Sequence, residues 1–289
     1  MAELTHNHVD IPGLRMHYVR QGSGSPLVLL HGWPEFWATW KKNIPVLAGS
    51  HDVIAPDLRG FGDTQKPAGP PRLDDYASDL VAFIEALDLD GVGLVAHDVG
   101  AVVLQNVARL IPERIRGLFF FNCPHPGIGR NWIENGHYME LWYQAFNQKS
   151  WAAELVGYNR DTCRIYFQNQ LSHWSYRDDA FADDLELWVD NFMKPGNLQG
   201  GFNWYRAVDE FRNKVIREGP PDLSAIDIPT HVLWGRHDPV LRAEWGELMG
   251  RYFSNVTVEY AESAGHFVHY EAPDLANEKI LTFFAGLPG

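Results

Sequence analysis

The sequence predicts an α/β protein: a mostly parallel central sheet flanked by helices, with one helical segment inserted into the alternating pattern. Three observations carry this expectation. Short apolar runs alternate with helical patterns before residue 124 and again after residue 228, the order expected of strands joined by helical crossovers. The runs PLVLLHG, DVIAPD, VGLVAHD and IRGLFFFN are rich in Val, Leu, Ile and Phe and do not strictly alternate, as strands buried on both faces do not. Residues 124–215 break the rhythm, with no clear buried β-run and a polar-aromatic, mostly helical pattern.

The elements follow in chain order. LRMHYV after the turn IPG predicts an opening hairpin. The four apolar runs follow as strands, with helices over residues 76–87 and 100–111 between them. The pattern resumes with a THVLWG strand, a helix near 242–252, a TVEYAE strand and a last helix over 272–285. The expected organisation is a core in two parts, residues 1–123 and 216–289, with a helical cap at 124–215. Roughly half of the aromatic residues fall in this third of the chain, a composition that suits a cap lining an apolar pocket. The same rings also suit a small helical core.

The composition excludes several functions. A net charge of −13 argues against nucleic acid or an anionic membrane as partner, since both reward basic patches. The two cysteines, Cys123 and Cys163, form no CxxC pair, so neither a zinc nor a redox motif is supported. The polar start MAELTHNHVD lacks an apolar signal core, no run is long enough to span a bilayer, and with only two cysteines a reducing cytoplasm is the expected setting. GVG at 91–93 precedes its strand and completes no GxGxxG, so no dinucleotide cofactor is expected.

The chemistry centres on AHDVGA, where a strand gives way at once to a helix. A nucleophile elbow needs small residues around the nucleophile, because strand and helix approach closely there. Ala96, Gly100 and Ala101 meet that need around Asp98. An Asp at this point also serves as an ordinary helix cap. As a nucleophile, a carboxylate is already ionised at neutral pH and needs no base for its first attack. It suits displacement at a saturated carbon, giving an ester that water then cleaves. Asp98 therefore argues for opening an epoxide or a carbon–halogen bond, not for ordinary ester hydrolysis.

The second step needs a base and a group to orient it. His266, in SAGHF after the last strand, is the expected base among 13 histidines, and Asp238, in WGRHDPV, the expected acid. The order nucleophile, acid, histidine fits the α/β-hydrolase arrangement. His97 and His237 are expected to point elsewhere, His269 to be structural, and Asp57 to hold its loop. HGWP after PLVLL places the Trp33 amide near the elbow, where with the Val99 amide it would form an oxyanion hole. Trp33–Pro34 is a candidate cis peptide.

With these pieces in place, the sequence resembles the small bacterial epoxide hydrolases of the α/β-hydrolase fold, the epichlorohydrin-hydrolysing type in particular. LHGWPEFWATW, DVIAPDLRGFGDTQKP, AHDVGA, HWSYRDD, VDNFMKPGNLQGGFNWYRA, WGRHDPV and AGHFV carry the resemblance over nearly the whole chain. It implies two cap tyrosines that hold the epoxide oxygen, falling by motif on Tyr205 and Tyr143. The residues alone do not select these from 11 tyrosines, with Tyr138, Tyr166 and Tyr176 as competitors. The expected reaction adds water to an epoxide to give a vicinal diol with no metal or organic cofactor, and the absence of a cationic carboxylate clamp after the nucleophile suggests a neutral, fairly apolar epoxide. Some relatives carry the triad acid where Asn122 stands, which favours Asp238 here. The rivals are a haloalkane or haloacid dehalogenase with the same nucleophile, or a non-catalytic ligand-binding relative. Val99 and Val102 stand where fluoroacetate-type dehalogenases carry arginines, and Val99 stands where the haloalkane type carries a halide-holding Trp, which disfavours both.

Overall fold

The computed structural model describes residues 3–287. Its sheet has eight strands: β1 (Thr5–Ile11), β2 (Leu14–Gly22), β3 (Ser25–Leu30), β4 (His51–Pro56), β5 (Val92–His97), β6 (Ile115–Phe121), β7 (Thr230–Gly235) and β8 (Val256–Ala261). They lie in the order β1-β2-β4-β3-β5-β6-β7-β8. The hairpin β1–β2 and the β2–β4 pair are antiparallel, and every later pair is parallel. The opening turn needs Gly13, whose φ of +76° lies in the left-handed region.

The missing alternation in the apolar runs now has its reason. Val28, Leu30, Ile54, Leu94, Ala96 and Phe120 face one buried layer, while Leu27, Leu29, Val53, Val95, Phe119 and Phe121 face the other. A period of two persists, but both faces are covered, so both positions are apolar.

The α-helices are α1 (Ile44–Leu47), α2 (Leu73–Ala86), α3 (Val99–Leu110), α4 (Trp142–Asn147), α5 (Ala152–Val156), α6 (Arg160–Trp174), α7 (Leu185–Phe192), α8 (Asn197–Glu218), α9 (Val268–Glu271) and α10 (Pro273–Ala285). The helices expected over 76–87, 100–111 and 272–285 are α2, α3 and α10, each within a few residues. The helix expected near 242–252 is instead a 3-10 segment, Ala243–Arg251. Gly246 and Gly250 weaken an α-helix there, and Gly246 sits where a Cβ would lie 3.0 Å from Val258. Between β6 and β7 the described residues form only 3-10 turns and α4 to α8, and α8 runs past residue 215. The Trp33–Pro34 peptide is cis.

This topology places the loops after β3, β5, β6, β7 and β8 at one edge of the sheet. In open α/β sheets that carboxyl edge is where ligands bind. Gly32, Asp98, Asn122, Asp238 and His266 all stand on those loops.

Candidate active site

Asp98 stands between β5 and α3 with φ +45° and ψ −112°, a strained conformation for a residue with a side chain. The turn is sharp because its neighbours are bare. A Cβ on Gly100 would lie 2.6 Å from the Leu30 carbonyl oxygen, and one on Gly32 would lie 2.7 Å from the Cβ of Asp98. The Trp33 amide donates to Asp98 Oδ2 at 3.2 Å. Val99 opens α3, where first-turn amides have no helical acceptor. Burial pushes the Asp98 carboxyl above its ordinary range, against the opposing pull of His266, His97 and the Trp33 amide.

His266 is buried, and its Nδ1 lies 2.8 Å from Asp238 Oδ2. Its Nε2 has no hydrogen-bond partner among the described residues. Burial opposes the charge of this ring, but Asp238, Asp98 and Glu35 outweigh it and push the imidazole up to about 9. Asp238 is held from every side: its Oδ1 accepts from the amides of Val240 at 2.7 Å and Leu241 at 2.9 Å. Its Oδ2 also accepts from Asn122 Nδ2 at 2.5 Å. Asn122 is thus more than the end of a strand, because its Oδ1 also accepts from the Gly235 amide at 3.1 Å. Asn122→Ala is expected to lower stability by about 1–3 kcal/mol, since a buried acceptor and a donor lose their partner. Urea unfolding would read this as a lower midpoint at constant slope, and an unmoved midpoint would contradict the role.

Tyr143 on α4 and Tyr205 on α8 meet edge to face, with ring centroids 5.5 Å apart. Both line one cavity of about 270 Å³ with Asp98. Gln144 Nε2 donates to the Tyr143 hydroxyl at 3.1 Å, which leaves the phenol proton free to point elsewhere. Burial raises both phenols well above their ordinary range, so they stay protonated donors at neutral pH. Of the competitors, Tyr166 donates to Asn147 Oδ1 at 2.5 Å, while Tyr138 and Tyr176 are exposed.

A buried network behind the elbow was not foreseen as a unit. Glu35 accepts from the Gly32 amide at 2.6 Å and from Thr39 at 2.6 Å, and lies 2.7 Å from His97 Nδ1 and 3.0 Å from His269 Nε2. His97 Nε2 donates in turn to the His266 carbonyl at 2.9 Å. Glu35, His97 and His269 are also the one group of metal-ligand type found among the described residues. Their facing atoms are occupied by these hydrogen bonds, so they tie the oxyanion turn to the histidine loop. His237 is turned to the Glu262 carbonyl, and Asp57 holds Trp37, Asp63 and His17.

A sequence profile described as alpha/beta hydrolase fold matches residues 25–273. The chain belongs to this family. The α/β hydrolase is 32% identical over 304 residues to a soluble epoxide hydrolase of Corynebacterium sp. (strain C12), covering 99% of each chain. It superposes on a solved ligand-free epoxide hydrolase, CorEH, with a TM-score of 0.84 and 30% identity, over 98% of this chain and 99% of that one. It is also similar to a Bacillus megaterium epoxide hydrolase solved with an inhibitor, at a TM-score of 0.85 and 25% identity, over 96% and 100% of the chains.

Proposed function

We propose that this α/β hydrolase is an epoxide hydrolase in which Asp98 is the nucleophile. One observation carries the reading: the elbow carboxylate shares a cavity with two buried, protonated tyrosines, a pairing that suits a leaving oxygen that stays attached to the substrate. Two relatives that match along nearly the whole chain are named epoxide hydrolases.

In the first half, an Asp98 oxygen attacks one oxirane carbon and the bond from that carbon to the ring oxygen breaks. The ring oxygen takes a proton from the Tyr143–Tyr205 pair. A hydroxyalkyl ester forms on Asp98. In the second half, His266 Nε2 takes a proton from water as the water oxygen attacks the ester carbonyl. The amides of Trp33 and Val99 hold the tetrahedral oxyanion. Collapse expels the alkoxide, which takes the proton from His266 and leaves as a vicinal diol, while the proton of the regenerated carboxyl group returns to the tyrosinate, so that the Asp98 carboxylate and both phenols are restored. Asp238 orients His266 through Nδ1. None of these steps draws on a metal or an organic cofactor.

Residues 124–215 serve as the cap that carries both tyrosines. No helix among the described residues is long and apolar enough to cross a membrane. Cys123 and Cys163 are both buried free thiols, which supports a reducing cytoplasm as the setting.

The test is the turnover of racemic styrene oxide, with a chloroalkane alongside. Diol from the oxide and no chloride from the alkane is the expected result. Chloride without diol would overturn the reading in favour of a dehalogenase.

A further inference from the structure

Arg212 lines the same cavity as Asp98, Tyr143 and Tyr205. It lies on α8 seven residues after Tyr205, hence on the same face and about 10 Å further along the helix. Its side chain is 16% exposed, yet its ion pairing is thin: one contact of 3.4 Å to Asp209, a turn earlier. Asp209 also accepts from Gln148 at 3.1 Å and Asn213 at 2.9 Å.

The contrast within the molecule is Arg59, which is equally covered and grips Asp79 with two bonds of 2.7 and 2.6 Å. A guanidinium offers five donors in a fork made for a carboxylate. At Arg59 the protein supplies that carboxylate. At Arg212 it supplies only the single 3.4 Å contact to Asp209, and the fork borders the cavity. Burial lowers the ordinary basicity of this guanidinium, and Tyr143, Asp209 and Tyr205 only partly offset that. A desolvated cation without a full counter-ion is costly, and an incoming anion relieves the cost. Val99, Val102, Val208, Phe211, Val215 and Leu223 give the cavity an apolar wall, beside the polar Asp74, Gln105 and Asn106. Arg109, the other arginine on the cavity, already donates to the Ser224 carbonyl.

We propose that Arg212 is a carboxylate-binding subsite, so that the cavity takes, besides neutral epoxides, amphiphilic epoxides whose apolar chain ends in a carboxylate. The oxirane lies at Asp98 and the tyrosines, the chain along the apolar wall, and the carboxylate on the guanidinium. The inference rests on the epoxide hydrolase reading.

The experiment compares the terminal epoxide of undecylenic acid with its methyl ester. In the wild type kcat/KM favours the acid. In Arg212→Gln the acid-to-ester ratio falls by about tenfold to a hundredfold, mostly through KM, as loss of a charged hydrogen-bonded pair requires. Arg212→Lys recovers part of the ratio. If Arg212 acted on the tyrosines instead, acid and ester would fall together, the ratio would hold, and the proposal would be overturned. Calorimetric binding of undecanoate, which has no oxirane, is the second arm. It weakens in Arg212→Gln by a similar factor, and unchanged binding would overturn the subsite. Absence of turnover with every epoxide would defeat the epoxide hydrolase reading, while undecanoate would still decide the role of Arg212.

Discussion

Replacing Asp98 with alanine is expected to abolish diol formation, with kcat falling by at least about 10,000-fold. The loss is that large because the cavity holds no substitute at the elbow. The other acid on the cavity wall, Asp74, is highly exposed at the rim. The tyrosines alone can polarise the oxirane oxygen, but they cannot supply an electron pair to carbon at neutral pH, since both phenols stay protonated. The variant is expected to fold. Burial already disfavours the Asp98 carboxylate, so removing it relieves a desolvation cost. Alanine at φ +45° and ψ −112° keeps the backbone strain of this sparsely populated conformation, about 1–3 kcal/mol. Intact-protein mass spectrometry after exposure to styrene oxide checks the chemistry directly. Wild type passes through an adduct and the variant forms none. Diol formation by Asp98→Ala within a hundredfold of wild type would remove Asp98 from the nucleophile's place.

How far the chain discloses this site depends on how local each part is. Asp98 follows β5 at once, and Asp238 and His266 stand three and five residues past the ends of β7 and β8, so a reading of strand ends finds them. The elbow is legible because its geometry demands small residues at fixed offsets, and Ala96, Gly100 and Ala101 supply them. The tyrosines are different. Tyr143 and Tyr205 sit on helices 62 residues apart by their numbers, and nothing in either helix's periodicity separates a cavity-facing ring from a core ring such as Tyr166. Only motif resemblance picked them out. Arg212 escaped for the same reason, as a charge in an exposed-looking helical stretch says nothing of the cavity it borders. The Glu35 network was hidden more deeply. Its members come from residues 35, 39, 97 and 269, and each looks like a loop or strand-end polar group until the sheet brings them together. The 3-10 segment at Ala243–Arg251 is the converse case. Its helical pattern is real, but two glycines and close packing on Val258 decide the tighter winding.

His266→Gln is expected to react once and stop. The first half-reaction needs only the carboxylate and the tyrosines, so the variant should still form the ester on Asp98. The second half needs a base, and glutamine is none, so the ester persists and kcat falls by at least about 10,000-fold. The same mass measurement reads this as stoichiometric, lasting addition of one substrate. Failure to form the adduct, or its prompt hydrolysis, would contradict the assignment of His266. The pH profile adds an independent check, because the charge on His266 is tied to Asp98. In the free enzyme the imidazole is pushed up to about 9, with Asp98 among the causes, so it is a cation at neutral pH. Its charge therefore stabilises the fold fully below its ordinary value of about 6.5, and that contribution is lost as pH rises through about 9. Esterification turns Asp98 neutral and removes one of the charges that hold the proton on His266. The covalent step thereby converts an ion-paired imidazolium into a stronger candidate for the neutral base. Single-turnover hydrolysis of the ester should rise with pH and level off below 9, whereas the free enzyme's histidine, followed by NMR, titrates near 9. A hydrolysis rate that keeps climbing above 9 would show that the ester leaves the His266 proton as tightly held as before, and the coupling between nucleophile and base would be absent.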